Sequence, residues 1–548
     1  MSAIICLPVD FRVNSVGLPA LLSEEVEGAP VLYHTASRLT LSDAYKVVLL
    51  FADGPEAAAD VKRARDICRG LAVEYCTSAA ADVPNREFLR RGRLWSLSSW
   101  RGGMGWTTYY DEAGAPAAMA EAAEKFGADA VGLITPDSPY ADPSLAAQLL
   151  AWHYDRIRKA RVTVTGVPPG LAPAFFSADI LKPLAEYKLT LAASMAYKPS
   201  APQRDLATTE AHYESDIELR TAPWRLTAHS LRQLEMMRAL AHLGVSPRSA
   251  NSVDVVRALE AHPEIAAGAL PSKIEIEPTS RVDAAPFYLR DFAETRRPVD
   301  MPLEAFRHIV NSVRPHRDVV LSLEGLGEPL LHERISEIVA AAKEAGLLGV
   351  HLGTYGRLLD ESILGRLSAA GLSILSVAIG AHTEDTYQKL FGAGGLREVQ
   401  AAAEAAFAAR KGVDVTRPLV VAEIAKMRFV EPEIEPFFDY WLTRCDWPVI
   451  RPFNDFAGQV EDLATIHMRT SKRIPCRKIF AELYVDAEGI AYPCRQDIRK
   501  THPLGNAAEE GIPRLWRCEF MEKLRAAHAA GDYEFFPLCR ECKDWYYA

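Results

Sequence analysis

Four cysteines near the C-terminal end of the chain are the side chains best suited to bind a metal. They are Cys476, Cys494, Cys539 and Cys542. Thiolates are the ligands of tetrahedral zinc sites and of cuboidal iron-sulfur clusters, and four of them complete either kind of site. The last two form a Cys-x-x-Cys pair, and this spacing favours a shared centre over four unrelated thiols. We therefore predict one four-cysteine metal centre.

A β-hairpin is predicted between the first two of these cysteines. Short apolar stretches flank Gly489 in the segment 483–494, and glycine can adopt the positive φ that a tight turn requires. In a symmetric hairpin the residue opposite Cys494 would lie near position 481, so an extended chain would hold Cys476 roughly 17 Å away. The stretch from Arg477 to Glu482 must therefore coil back if both thiols are to reach one centre.

The other five cysteines are scattered along the sequence, at Cys6, Cys68, Cys76, Cys445 and Cys518. We expect free thiols at these positions, because disulfides are rare in a reducing compartment. Cys518 lies between the predicted ligands, on a helix predicted to run from Ile512 toward Ala530. It is the alternative ligand if one of the four is not used.

The C-terminal segment resembles a known family of metal-binding domains. Besides the cysteines and Gly489 it contains Pro503-Leu-Gly-Asn506, Leu515-Trp516 and Cys542-Lys-Asp-Trp545. This pattern resembles the SPASM domain, the C-terminal extension of many radical S-adenosylmethionine (SAM) enzymes, which holds auxiliary iron-sulfur clusters. Longer versions have further cysteines and hold two clusters. The resemblance implies one [4Fe-4S] cluster in this chain, with zinc as the alternative metal.

Upstream of this segment, six apolar runs alternate with stretches of helical spacing, which predicts parallel βα units. The runs are Ile274 to Glu277, Val319 to Leu323, Val350 to Thr354, Ile374 to Ile379, Leu419 to Ala425 and Val449 to Arg451. The second is followed by Glu324-Gly-Leu-Gly-Glu-Pro-Leu-Leu-His332, which resembles the Gly-Gly-Glu-Pro loop of radical SAM enzymes. The resemblance implies a partial (β/α)6 barrel and a vestigial SAM site. An ordinary strand-to-helix turn is the alternative.

The vestigial site would include Gly325, Gly327 and Glu328, since main-chain groups beside a glycine contact the amino group of SAM in that family. The family's own cluster is bound by C-x3-C-x2-C after a sequence resembling Lys273-Ile-Glu-Ile-Glu-Pro-Thr279. The three expected cysteine positions are occupied by Val282, Pro286 and Leu289, none of which can bind iron. We therefore expect no standard SAM cleavage, although SAM or a peptide could still bind.

The N-terminal half contains further strand candidates, at Ile4 to Leu7, Lys46 to Phe51, Leu71 to Cys76 and Ala130 to Ile134. Two stretches, Glu27 to Leu39 and Ala128 to Pro143, resemble nucleotidyltransferases of the cytidylyltransferase type. That resemblance implies that Asp137 helps to hold a magnesium-nucleotide complex; the alternative is that Asp137 only begins a turn.

The triphosphate loop of that family is glycine-rich and basic. The corresponding segment here, Pro8 to Ala20, contains one glycine, one arginine and no lysine, which is a poor supply of phosphate-binding groups. Arg101-Gly-Gly-Met-Gly105 is a second candidate phosphate loop.

The composition is that of a folded protein, with 49% hydrophobic and 24% charged residues, and the net charge is -10. Because no basic tract offsets the excess of acid, we expect neither a nucleic-acid binder nor a membrane-surface binder. No apolar run reaches about 18 residues, and the first residues lack a basic flank and a cleavage site. We expect a cytoplasmic protein.

The predicted fold class is α/β with several domains. A nucleotidyltransferase-like α/β sandwich is expected at 1–245, a linker at 246–270, a degenerate radical SAM-like barrel at 271–455 and a SPASM-like iron-sulfur domain at 456–548. The sequence predicts neither a catalytic residue nor an oligomeric state.

Three functions are compatible with these patterns. The favoured hypothesis is a radical SAM/SPASM-like iron-sulfur protein with one auxiliary cluster and a small-molecule or peptide partner. The chain resembles a group of spirochaete proteins in which a nucleotidyltransferase-like domain is fused to a radical SAM-like core that often lacks its cysteines. The alternatives are a nucleotidyltransferase acting through the N-terminal domain and a structural zinc scaffold.

Overall fold

The computed structural model describes residues 2–83, 86–95, 109–156, 161–191, 211–222, 224–314, 316–410, 416–467 and 473–545. The chain divides into two compact units, Met1–Ala266 and Ala267–Ala548. The predicted loop Arg101–Gly105 lies outside the described residues.

The strands of the first unit are β1 Ala3–Pro8, β2 Glu25–Val26, β3 Ala29–Pro30, β4 Lys46–Ala52, β5 Val73–Ser78, β6 Ala130–Leu133, β7 Val162–Thr165, β8 Ala174–Ser177 and β9 His212–Tyr213. Its helices are α1 Val31–Leu39, α2 Ala57–Ile67, α3 Arg86–Trp95, α4 Pro116–Phe126, α5 Pro143–Arg156, α6 Ala178–Glu186, α7 Ile217–Thr221, α8 Leu231–His242 and α9 Ser252–Ala261.

A seven-stranded sheet in the order β5-β4-β1-β6-β8-β7-β9 organises this unit. The strands β5, β4, β1 and β6 are parallel, and β8 runs antiparallel to both of its neighbours. Alternate side chains of β1 enter two different cores, with Ile5 and Leu7 on one face and Ile4 and Cys6 on the other. This alternation is that of a strand covered on both faces, as in the predicted α/β sandwich.

The segment 246–270, which was expected to be a linker, is mostly folded into the first unit. Helix α9 begins at a capping box in which Asn251 and Asp254 bond each other's main chain. Its buried face contributes Val255, Val256 and Leu259 to the core of the unit. The boundary between the two units lies after Ala266, so only the last residues of the predicted linker connect them.

The strands of the second unit are β10 Lys273–Ile276, β11 Val320–Leu323, β12 Gly349–Thr354, β13 Ile374–Ala378, β14 Leu419–Lys426, β15 Trp447–Pro452, β16 Glu482–Val485, β17 Ile490–Tyr492 and β18 Gly505–Asn506. Its helices are α10 Arg290–Glu294, α11 Leu303–Asn311, α12 Ile335–Glu344, α13 Glu361–Ala369, α14 Glu384–Phe391, α15 Leu396–Ala408, α16 Ile434–Trp441, α17 Lys478–Ala481, α18 Ala507–Glu510, α19 Ile512–Trp516, α20 Glu519–Ala529 and α21 Pro537–Glu541.

The six predicted barrel strands form one parallel sheet in the order β15-β14-β13-β12-β11-β10. Helices connect successive strands, so the predicted partial (β/α)6 barrel is confirmed. Apolar residues of each strand face the helices and form the main core, including Ile274, Leu321, Leu352 and Leu375. The alternate positions face the interior of the barrel, and many of them are polar.

The hairpin β16-β17 is not separate from this sheet. Strand β16 pairs in parallel with β10, and β17 and β18 extend the sheet further as antiparallel strands. Gly489 has a φ of +82° at the hairpin turn, as predicted. The observed register pairs Tyr484 with Tyr492, so the position opposite Cys494 is 482, one residue from the expected 481.

None of the helices among the described residues is both long and apolar enough to cross a membrane.

The folding of the expected linker into the first unit predicts a large effect of Leu259→Ala. Leu259 is fully buried in the core of that unit, so this truncation should lower the free energy of unfolding by about 2–5 kcal/mol. Leu243→Ala is the matched control, because Leu243 is 46% exposed and should cost less than about 0.5 kcal/mol. Urea unfolding compares the two variants, and equal small effects would mean that 252–261 does not pack on the unit.

Candidate metal centre

The four cysteines that are predicted to bind a metal lie in three separate segments of the second unit. Cys476 lies just before α17, Cys494 follows β17, Cys539 is within α21 and Cys542 follows that helix. The helix α17 makes the coil between Cys476 and the hairpin that the spacing requires. Besides burial, the charge of Cys476 raises the pKa of each of the other three thiols, Cys494, Cys539 and Cys542.

A main-chain N–H bonds one of the sulfurs, since that of Asp544 donates to Sγ of Cys542 at 3.3 Å. Burial raises the pKa of Cys476 and Cys494, and the main-chain N–H groups of Lys478 and Gln496 act to lower it. In each case the N–H group lies two residues after the cysteine. Such bonds favour the ionised sulfur, which is the form that binds metals.

The side chains of the same three donor residues are joined to one another. The Asp544 carboxylate accepts a bond from the Lys478 ammonium and a second one, of 2.8 Å, from Nε2 of Gln496. These contacts tie together segments that are up to 66 residues apart in the sequence. We call this set of three side chains the Asp544 junction. It holds the three N–H donors, and therefore their cysteines, in one place.

Further contacts fix the segment around Cys539 and Cys542. Arg473 donates to the carbonyl oxygen of Cys539 and stacks on the ring of Tyr533 at 4.5 Å. Lys543 donates to Asp455 at 2.7 Å and to Asp462 at 2.8 Å. The α21 segment is thereby held at both ends.

Burial raises the pKa of all four thiols, and neighbouring thiols raise that of Cys494, Cys539 and Cys542 further. For Cys542 the pKa reaches about 12. Lys478 acts in the opposite direction on Cys476, Cys494 and Cys542. A cation at the centre of the set would therefore replace protons, because metal binding requires thiolates.

The thiols are gathered but do not close on a single ion. Within the described ranges, no group of three or more His, Cys, Asp or Glu side chains has the geometry of a metal-ion site. The residues present nevertheless fit a zinc ion or an iron-sulfur cluster bound by thiolates. Cys476 acts on the other three thiols, and the Lys478 ammonium acts on Cys476, Cys494 and Cys542.

Cys518 stands apart from this set. Helix α19 ends at Trp516 and α20 begins at Glu519, so the continuous helix predicted from Ile512 to Ala530 is broken at Cys518. Its thiol acts on the guanidinium of Arg525, which is buried against the ring of Trp516 at 3.9 Å. In the part of the chain that the structure describes, Cys518 is not among the groups that act on the four thiols.

The positions that would hold the radical SAM cluster lie at the mouth of the barrel. Leu289 is buried in a small apolar cluster with Leu326, Phe456 and Ile498. Pro286 is also buried, and Val282 is half-buried. Apolar side chains from the C-terminal segment therefore fill the region, and the residues present do not fit an iron-sulfur cluster there.

The loop predicted as a vestigial SAM site is packed against the end of β10. The N–H groups of Leu326 and Gly327 both donate to Oε1 of Glu277 at 2.9 Å, and Arg296 pairs with the same carboxylate at 2.7 Å. A Cβ atom on Gly325 would meet the side chain of Glu277, and one on Gly327 would overlap the carbonyl oxygen of Thr279.

Glu328 binds groups of its own chain. Its carboxylate accepts bonds from the N–H of Leu330 at 3.0 Å, the hydroxyl of Thr354 at 2.8 Å and the N–H of Tyr355 at 2.9 Å. Burial raises its pKa to about 7, although these bonds oppose the shift. The side chain joins the ends of β11 and β12.

In the first unit, Asp137 is buried beyond the end of β6. Burial raises its pKa, and a hydrogen bond from Thr135 and the positive charge of Arg225 offset this only in part. Arg225 is itself paired with Glu112, with Nη2 2.5 Å from Oε2. Among the described residues, Oδ1 of Asp137 has no hydrogen-bond partner.

The candidate phosphate loop from Pro8 to Ala20 has no free arginine. Its single arginine, Arg12, is bonded to Asp10 at 3.3 Å, to Glu56 and to Asp60 at 3.6 Å.

The sequence patterns did not identify the polar interior of the barrel. Ser322, His351 and Ser376 form a hydrogen-bonded row across three strands, with distances of 2.6 and 2.8 Å. A buried charged side chain lies beyond each end of this row, Glu275 on one side and Glu423 on the other. The sequence signal that could have identified this interior was a single polar residue at an alternate position of an otherwise apolar strand.

The family model of the SPASM domain, described as an iron-sulfur cluster-binding domain, matches residues 476–543. An uncharacterized protein of Treponema pallidum (strain Nichols) is 24% identical over 239 residues, which cover 41% of this chain and 64% of that protein. The chain therefore matches less than two thirds of that relative's length.

Three solved structures are similar over about half of the chain. BtrN in complex with AdoMet and 2-DOIA has 17% identity and a TM-score of 0.35, covering 50% of this chain and 93% of that one. SuiB of Streptococcus suis bound to precursor peptide SuiA has 12% identity and a TM-score of 0.39, covering 54% of this chain and 78% of that one.

A cytidylyltransferase of Leptospira borgpetersenii has 14% identity and a TM-score of 0.32, covering 48% of this chain and 95% of that one. Similarity at these scores establishes no activity for this chain.

The packing of the loop against β10 predicts that Gly327→Ala is destabilising. The added methyl group meets main-chain atoms of Thr279 and Arg281, which cannot yield as a side chain can, so a loss of roughly 1–3 kcal/mol is expected. Gly365→Ala is the matched control, since it lies within α13 with open space around it and should stabilise by up to about 1 kcal/mol. Urea unfolding of both variants checks this. A neutral Gly327→Ala would show that the loop stands away from β10.

Proposed function

Since residues 476–543 of this chain are a SPASM domain, we propose that it is an iron-sulfur protein of the radical SAM/SPASM type with one auxiliary cluster. Cys476, Cys494, Cys539 and Cys542 would hold a [4Fe-4S] cluster, and the barrel would not perform standard SAM cleavage. The single observation that supports this most is that residues 476–543, which contain all four cysteines, match the model of an iron-sulfur cluster-binding domain.

The family match favours a cluster over zinc, because the matching model is that of an iron-sulfur cluster-binding domain. The two kinds of site would need different spacings. Four thiolates on one zinc ion stand about 3.8 Å apart, since each Zn–S bond is about 2.3 Å and the geometry is tetrahedral. Thiolates at the corners of a cuboidal cluster stand farther apart, because the iron and sulfide atoms lie between them.

When bound, such a cluster would supply reversible one-electron chemistry. The chain's own residues set its surroundings. Cys476 is buried and the other three cysteines are partly buried, the N–H of Asp544 stabilises negative charge on Cys542, and the Lys478 ammonium adds positive charge that Asp544 partly neutralises. The centre therefore suits electron transfer or a structural role.

The filled mouth of the barrel supports the absence of standard SAM cleavage. Leu289 and Leu326 pack on Phe456 and Ile498 where the SAM-cleaving cluster of the family would lie. SAM binding without cleavage, and a peptide or small molecule as partner, are further parts of the proposal. A thiol-bound centre together with five other free cysteines suits a reducing compartment, which supports a cytoplasmic location.

Metal analysis of Cys494→Ala in the full chain tests the ligand set. After anaerobic reconstitution with iron and sulfide, wild type should contain about four irons and four sulfides and show visible absorption. Cys494→Ala should lose most of this iron and loosen the C-terminal segment while the first unit stays folded. Iron, sulfide and absorption are measured together with circular dichroism.

The matched control is Cys518→Ala, which removes the same side chain from the same segment but outside the set of interacting thiols. It should keep the full iron content. A colourless wild type that contains zinc would overturn the iron-sulfur proposal and leave the structural zinc scaffold. Full metal content in Cys494→Ala would overturn the ligand assignment.

Nucleotide transfer by the first unit is the second candidate function. The observation that favours it is the buried Asp137, whose Oδ1 has no hydrogen-bond partner among the described residues. A magnesium ion would satisfy this oxygen. The poorly basic loop around Arg12, whose guanidinium is engaged by three carboxylates, argues against tight triphosphate binding.

Isothermal titration of the full chain with CTP and magnesium tests this function. Binding to wild type should be weakened at least about tenfold by Asp137→Asn, because the metal would lose a charged ligand. Asp43→Asn, at an exposed site of the same unit, should bind like wild type. No heat of binding with wild type would contradict nucleotide transfer and would leave the iron-sulfur proposal unaffected.

A further inference from the structure

The interior of the barrel contains charged side chains that the metal centre does not use. Glu275 projects inward from β10, and Glu324 follows β11 on the neighbouring strand. Both are buried, with side-chain exposures of 5% and 14%. Two buried carboxylates so close together require positive charge nearby.

A guanidinium from outside the barrel strands supplies that charge. Arg495 directly follows Cys494, in a segment that forms turns rather than a helix or strand. Its Nη1 lies 3.3 Å from Oε2 of Glu275 and 3.4 Å from Oε1 of Glu324. The residue after a predicted metal ligand therefore reaches into the barrel.

The fit of Arg495 between the two carboxylates is loose. One nitrogen is shared by both, at distances beyond the usual range of a charged N–H···O bond, and neither carboxylate is bound by the paired N–H groups that make such contacts strong. Oε1 of Glu275 has no hydrogen-bond partner among the described residues. This oxygen belongs to a side chain that is only 5% exposed.

That carboxylate lines a small cavity beside Arg495 and Tyr484, with a volume of about 20 Å³. Such a volume holds one water-sized group, and a polar partner is needed for it to be occupied stably. Burial raises the pKa of Glu275 to about 7, although Arg495 and Lys273 oppose the shift. Space and an unpartnered acceptor coincide at this point.

With Arg495 in place, the inward carboxylates Glu275, Glu324 and Glu423 are balanced by Arg495, Lys273 and Arg451. Glu423 is paired with Arg451 at 2.6 Å, and His351 is neutral because burial lowers its pKa to about 3. Lys273 is 3.8 Å from Glu275. Without Arg495, Glu275 and Glu324 would therefore share a single ammonium.

We propose that Glu275 and Glu324 form a guanidinium-binding site, that the chain's own Arg495 occupies it, and that a guanidinium-bearing ligand enters the barrel by taking the place of Arg495. A free guanidinium can present two parallel N–H groups to a carboxylate, including the unpartnered Oε1 of Glu275. The site is separate from the metal centre and does not depend on which metal the cysteines bind.

Chemical rescue of Arg495→Ala in the full chain tests the proposal. The variant should unfold at a temperature at least about 5 °C below wild type, because two buried carboxylates lose their partner. Millimolar methylguanidinium chloride should restore a large part of this difference, whereas equal sodium chloride should not. Wild type should respond less strongly, and only at higher methylguanidinium concentrations, because the ligand must first displace Arg495.

Arg499→Ala is the matched control. Arg499 lies in the same segment and has the same charge, but its guanidinium stacks on Phe292 at 5.2 Å. It should show no response to methylguanidinium. The double variant Arg495→Ala with Glu275→Gln should also lose most of the response, since the acceptor is gone.

Three results would overturn the proposal. They are no recovery of Arg495→Ala by methylguanidinium, no response of wild type at any methylguanidinium concentration, and an undiminished response of the double variant. Arg495→Gln keeps most of the side-chain volume without the charge and takes the place of Arg495→Ala if the latter does not fold.

Discussion

The Asp544 junction is the interaction on which the C-terminal part of the molecule depends. One carboxylate binds the side chains of Lys478 and Gln496, and these two residues and Asp544 itself each direct a main-chain N–H at a cysteine sulfur. Three segments of the chain are joined and three sulfurs are oriented by the same residues. Because the junction lies among buried groups, its ion pair is poorly screened by solvent and requires each partner to be present. The geometry of the thiols follows from it.

The continuity of the sheet links this centre to the barrel. Strand β16 pairs with β10 from Lys273, which lies opposite Glu482, to Ile276, which lies opposite Val485. The hairpin that precedes Cys494 is therefore an extension of the barrel wall. The next segment then crosses the open end of the barrel, where Ile498 packs on Leu289 and Leu326 and Arg495 enters the interior. A SPASM-type segment and a barrel that would otherwise be open at this end therefore form one body.

Much of the fold was predictable because its signals are local. The six barrel strands, the hairpin around Gly489 and the four strands of the first unit follow from apolar periodicity and from a glycine at a positive φ. The folded segment 252–261 was not identified as such. Its apolar positions Val255, Val256 and Leu259 are buried only because the rest of the first unit supplies a surface for them. The break before Cys518 is likewise set by the packing of Arg525 on Trp516.

The sequence by itself determined the positions of the four cysteines, the prediction that they share one centre, and the absence of cysteine at Val282, Pro286 and Leu289, because these depend on residue type and spacing alone. Only the tertiary structure decided which charges meet. Arg495 and Glu275 are 220 residues apart, and Lys478 and Asp544 are 66 apart. Periodicity reports which face of a strand is buried, but it does not report the partner that a buried charge requires. That partner is fixed by the register of the sheet and the path of the loops.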